Sequence, residues 1–151
     1  MKTQIQKQDN NKIEQTEKYS IKTRRSAMKI TNLCTSILTK HSDDVISTFE
    51  ALGFERLHHD GNEEGIVNGS IRLKDHNGNM VDIVDTDHYS KDKVMLHINV
   101  DDFDEAYRFF MDRGFSNALG KDVIIEAEHF KGAHIESPSG FEIMLMQHIR
   151  K

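Results

Sequence analysis

The sequence predicts an α+β fold: two tandem βαβββ modules forming an eight-stranded open barrel with a concave cleft. Three observations predict it. Ile37 to Gly53 and Ile98 to Gly114 are helix-sized segments of one length, each closed by Gly-Phe, at an offset of 61. Two turn signals, Asp75-His76-Asn77-Gly78 and Ser137-Pro138-Ser139-Gly140, each precede an apolar run, and their glycines lie 62 apart. The length, 151 residues, suits one such duplicated domain and no second large one.

The elements follow in order. An apolar run, Ile30 to Leu38, opens the first module as a strand. A helix follows, in which Ser42 is expected to cap while Asp43 and Asp44 favour the positive helix start. Val45, Ile46, Phe49 and Leu52 form its apolar stripe, and Gly53 supplies a left-handed stop on which Phe54 can fold back. Strands are expected at 55–59, 70–74 and 80–84, the last two joined tightly through Asn77-Gly78. The second module repeats this logic with a strand at 94–100 and a helix capped by Asp102, with Glu105 placed as in a capping box. Phe103, Ala106, Tyr107 and Phe110 line one face of that helix before Gly114. Strands at 116–119, 133–137 and 141–147 complete the unit, with 123–125 as a further strand or a loop. One helix covers one face of a four-stranded sheet, so two copies placed edge to edge share a concave face suited to a small molecule.

Charge is unevenly placed. Residues 1–27 hold seven of the 20 Lys and Arg and three of the 25 acids, which leaves 13 positive and 22 negative charges on the rest. A net of −9 there would repel polyphosphate, so nucleic-acid binding by the folded part is not expected. Residues 1–27 lack the apolar residues for a core and read as a polar, disordered extension, most simply a solvated leader upstream of Met28. Residues 28–149 form one domain, with modules at about 28–91 and 92–149. No run approaches the roughly 18 apolar residues of a membrane span. The single cysteine, Cys34, excludes an internal disulfide and a thiolate zinc finger, and fits a reducing cytoplasmic compartment. No phosphate loop, dinucleotide fingerprint, serine elbow or H-E-x-x-H motif is present.

Three segments carry a family likeness. Thr48-Phe49-Glu50-Ala51-Leu52-Gly53-Phe54, Val100-Asp101-Asp102-Phe103-Asp104-Glu105-Ala106 and Ser137-Pro138-Ser139-Gly140-Phe141 resemble the vicinal oxygen chelate superfamily, across residues 28 to 149. That superfamily includes glyoxalase I, bleomycin-resistance proteins and extradiol dioxygenases. The resemblance implies a cleft whose enzymes hold a metal by His, Glu or Gln at four posts, one on the first and one on the last strand of each module. Carried over by the helix-end and hairpin landmarks, the posts fall on Cys34, Asp82, Met95 and Met144. Only Asp82 is an ordinary ligand for a hard divalent ion.

Two neighbours enlarge the candidate set. His97 and Glu142 lie two residues from Met95 and Met144, so strand alternation turns them to the same face. Cys34, Asp82, Met95, His97, Glu142 and Met144 are therefore the expected ligand-binding residues. Asp82, His97 and Glu142 would make an alternative metal set if the strands slid by one pleat. Asp82 and His97 are also the catalytic candidates, as an acid/base pair. Cys34 would need a base beside it to act as a nucleophile, and is more simply a small packed hydrophobe. Met95, Met144 and Met146 read as pocket lining. His58, His59, His129 and His134 sit on segments whose register the sequence does not settle, and His148 is expected to be exposed. The leading expectation is a cytoplasmic homodimer that binds an organic molecule with no cofactor and no tightly held metal, as bleomycin-resistance proteins do. A metal-dependent lyase, isomerase or dioxygenase of the same superfamily is the alternative, and a protein-interaction module the third.

Overall fold

The computed structural model describes residues 11–15, 27–57, 66–67 and 70–149. The strands are β1 (Ile30–Thr39), β2 (Glu55–Arg56), β3 (Ile66–Val67), β4 (Ser70–Lys74), β5 (Met80–Asp85), β6 (Lys93–Val100), β7 (Ser116–Asn117), β8 (Ile125–Ala127), β9 (Phe130–Glu136) and β10 (Glu142–His148). The helices are α1 (Ser42–Ala51) and α2 (Phe103–Met111). They form a single sheet whose main path runs β2-β4-β5-β1-β6-β10-β9-β7. Those eight strands are the eight expected. β3 and β8 are short additions on β4 and β9.

The duplication is visible in the pairing. β1 runs parallel to β5, β6 runs parallel to β10, and β1 and β6 join the modules antiparallel at the centre. Each helix lies on its own module. Ile46 of α1 is buried with Leu73, Val81 and Ile83, while Phe103 and Ala106 of α2 are buried with Ile98, Val100, Ala133, Ile135, Ile143 and Leu145. The opposite face of the sheet is the concave side of the open barrel.

Both helices end alike. Phe54 N donates to Phe49 O and Gly53 N to Glu50 O; Phe115 N donates to Phe110 O and Gly114 N to Met111 O. These paired bonds close the last turn only with a left-handed residue, which Gly53 (φ +99°) and Gly114 (φ +86°) supply. Phe54 and Phe115 then fold back edge-on against Phe49 and Phe110, with ring centroids 5.2 and 4.9 Å apart.

The hairpins match as well. Asp75 N donates to Asn79 O and Gly78 N to Asp75 O, just as Ser137 N donates to Phe141 O and Gly140 N to Ser137 O. The Asn77-Gly78 connection is thus a wider loop than the tight turn expected, because Asp75 Oδ1 accepts from both Asn77 N and Asn79 N and organises five residues.

Some local expectations are corrected. Ser42 is the first residue of α1, and His41 takes the cap position without a side-chain bond. Leu52 is 69% exposed, beyond the stripe on Ile46, because it follows the last helical turn. Asp102 does cap α2, accepting from Glu105 N at 3.0 Å. The Glu105 carboxylate accepts from Ala27 N, and Asp101 accepts from Lys29 N, which ties the entry of β1 to the start of α2. The end of the 55–59 strand, with His58 and His59, lies outside the described residues. So does most of the 1–27 extension; of it, 11–15 are helical and exposed. Among the described residues no helix is long and apolar enough to cross a membrane.

Candidate functional site

Register fixes what the concave face carries. On β1 and β6, Asn32 pairs with Asn99, Cys34 with His97 and Ser36 with Met95. Asp82 is opposite both Ser36 on β1 and Arg72 on β4, and Met144 is opposite both His97 on β6 and His134 on β9. Directly paired residues share a face. The four posts, Cys34, Asp82, Met95 and Met144, therefore face the same side, and His97 and Glu142 face it too.

A polar cluster occupies the first module's half. Asp82 is fully buried, and Arg72 grips it with two hydrogen bonds, Nε to Oδ1 at 2.7 Å and Nη2 to Oδ2 at 2.9 Å. The Cys34 thiol donates to Asp82 Oδ2 at 3.2 Å, and Arg72 Nη2 reaches Cys34 Sγ at 3.5 Å. His97 Nδ1 lies 3.5 Å from Asp82 Oδ2, and His97 Nε2 is 3.0 Å from Asn99 Oδ1.

The charges follow from this packing. Burial alone would raise the Asp82 carboxyl, but the Arg72 hydrogen bonds and charge override it and hold the group below the usual carboxylate range. Arg72 is held above its ordinary value by its hydrogen bond to Asp82. Burial and the neighbouring Asp82 push the Cys34 thiol up to about 12. Burial also pushes His97 below the ordinary imidazole value, against the pull of Asp82. The cluster is an ion pair with a neutral thiol and a neutral imidazole against it. Cys34 has no base to make it a nucleophile, and matches the packed role expected for it.

The second module's half is different. Glu142 does not join Asp82 and His97. Lys93 Nζ binds its carboxylate at 2.6 Å, and His134 Nε2 is 3.2 Å from its Oε1 without hydrogen-bond alignment. Lys93 is raised by that bond to Glu142 and lies over the Tyr89 ring, 4.6 Å from its centroid. Met95 and Met146 are buried and Met144 is partly exposed. His148 is exposed as expected.

The metal implied by the resemblance does not fit this donor set. Both Asp82 oxygens are held by a permanent cation, and the other three posts offer one thiol and two thioethers. At 4 Å and an effective dielectric of about 20, two unit charges interact by about 4 kcal/mol, and a divalent ion beside Arg72 would be repelled about twice as strongly. Among the described residues no group of three or more His, Cys, Asp or Glu is placed to hold an ion. Asp82, His97 and Glu142 are thus not brought together as one set.

Arg72, Ser36 and Asn99 escaped the sequence reading. Arg72 was signalled there: Ile71 and Leu73 serve the core, so alternation sends Arg72 to the cleft, and the hairpin pairs it with Asp82. His134, left unassigned by the sequence, is buried on the same face.

No family model matches the chain, and no curated protein does. Solved structures share its fold. A structure from Legionella pneumophila named as an NAD-dependent benzaldehyde dehydrogenase is similar with a TM-score of 0.56 at 10% identity, covering 78% of this chain and 100% of that one. A protein from Staphylococcus aureus gives 0.56 at 14% identity, covering 79% and 97%. A glyoxalase I variant from Zea mays gives 0.54 at 12% identity over 78% of this chain, which spans 43% of that longer one. At these identities the likeness is one of fold, and that fold is the glyoxalase type the motifs resemble.

Proposed function

We propose that this glyoxalase-fold chain binds a small, largely apolar organic molecule on its concave face and does so without a tightly held metal ion. The observation that carries this reading is the bidentate Arg72–Asp82 pair, which leaves the only acidic post engaged by a cation. Around it, Met95, Met144 and Met146 give a polarisable thioether wall that adapts to flat or irregular bodies. The reading assigns no reaction. His97 is held neutral between Asp82 and Asn99 and serves as a fixed polar contact rather than a proton shuttle. Fold alone does not decide this, since one fold carries many chemistries.

The protein acts in this reading as a cytoplasmic homodimer. Its single reduced thiol supports the compartment. Leu33, Val94 and Leu96, exposed on the helix-bearing side of the two central strands, support pairing with a second copy, which sedimentation would read directly.

Two measurements test the ligand reading. Protein purified without chelator should carry far less than one equivalent of metal. A panel of aromatic and glycopeptide compounds should contain members that raise the melting temperature, because a ligand bound only by the native state stabilises it. Near-stoichiometric metal that disappears in His97→Ala would overturn the proposal.

A further inference from the structure

We infer that the molecule bound in the cleft is an uncharged aromatic carbonyl compound, its oxygen seated between Arg72 Nη1 and Ser36 Oγ. This rests on the ligand-binding reading above and specifies its chemistry.

Two unfilled hydrogen-bonding groups lie side by side. Arg72 spends Nε and Nη2 on Asp82 and Cys34, and among the described residues Nη1 donates to nothing. The guanidinium already reaches across to β1, since Nη2 touches Cys34 Sγ. Ser36 is two residues further along the same face of β1, opposite Asp82. It is 2% exposed, and its hydroxyl has no hydrogen-bond partner. A buried hydroxyl without a partner costs about 1–3 kcal/mol, so an acceptor that satisfies it is bound with advantage. A carbonyl oxygen has two lone pairs and can take one bond from each donor.

Charge selects against an anion. The Arg72 cation is already matched by Asp82, and Cys34 and His97 are neutral neighbours. A carboxylate would bring an unmatched negative charge into a buried site. Thioethers suit the edge and face of an aromatic ring, and Met95 and Met146 present them 4% and 5% exposed on this face. Met80, Val84 and Met144, partly exposed on the same face, leave a rim for entry.

The test uses three probes of nearly one shape: 2-acetylnaphthalene, 2-ethylnaphthalene and 2-naphthoate. Titration calorimetry on the full chain should find the ketone at least tenfold tighter than the hydrocarbon and the carboxylate. Ser36→Ala should weaken the ketone about fivefold or more, leave the hydrocarbon unchanged, and melt no lower than the parent. Equal binding of ketone and hydrocarbon, or tightest binding of the carboxylate, overturns this inference while the ligand-binding reading stands. Failure of all three probes, with other members of the broad panel bound, also overturns it. If the broad panel is silent as well, the ligand-binding reading itself falls.

Discussion

Arg72 and Asp82 face each other across the β4–β5 hairpin and share two hydrogen bonds, at 2.7 and 2.9 Å, with the carboxylate fully buried. A buried pair of this kind is expensive to desolvate, so its net contribution is small while its rupture is not. Arg72→Met or Asp82→Leu alone leaves an unmatched buried charge, and each should cost about 3–5 kcal/mol. The double variant should lose much less than the two singles added. Urea unfolding of the four proteins gives the coupling, and additive losses would show that the pair does not act as a unit.

The same cluster makes Cys34 unreactive. With the thiol held near 12, almost none is thiolate at pH 8, and the side chain is 6% exposed. Iodoacetamide should alkylate the native chain at least about 100-fold more slowly than the chain in urea, a free thiol near its ordinary value of about 8.5. Mass spectrometry over time reads this. Comparable rates in both states would mean that Cys34 lies open or ionised.

How far the sequence revealed this site depends on which residue is considered. The duplication was legible because Gly53, Gly78, Gly114 and Gly140 occupy positive-φ turns that side chains avoid, so the same spacing had to recur. Strand alternation then gave the facing of Cys34, Asp82, Met95, His97, Glu142 and Met144. What stayed hidden was which charges would meet. Glu142 looked available to Asp82 and His97, but Lys93 at the start of β6 claims it, a contact between residues 49 positions apart. Arg72 was a single charged residue in a short strand until the five-residue loop set its register against Asp82. Ser42 reads as a cap by type, yet the chain enters α1 one residue earlier, where Thr39 Oγ1 holds the His41 N–H.

His97 sets a pH dependence. Its folded value lies below the ordinary one, chiefly through burial, so the folded state resists a proton that the unfolded chain accepts below about pH 6.5. The unfolded state then binds more protons, and stability must rise with pH through that window and fall as pH drops. The slope from one such group is at most about 1.4 kcal/mol per pH unit. His97→Gln should therefore lose less stability than the parent between pH 7 and pH 5. Unfolding midpoints at the two pH values test it, and equal losses would assign the acid sensitivity to other groups.

The matched helix ends offer a controlled comparison. Gly53→Ala and Gly114→Ala each place a Cβ on a left-handed backbone, which costs about 1–2 kcal/mol for an L-residue. Their surroundings differ. A Cβ at Gly53 meets nothing within 4 Å, whereas one at Gly114 comes within 3.3 Å of Pro138 Cγ. Gly114→Ala should be the more destabilising of the two. Pro138→Ala, which deletes the obstructing atom, should bring its cost in the double variant down to that of Gly53→Ala. Thermal or urea unfolding of the single and double variants separates backbone strain from contact. Equal costs at both glycines, unmoved by Pro138→Ala, would leave conformation as the whole effect and remove the packing of the second hairpin against the end of α2 from the account.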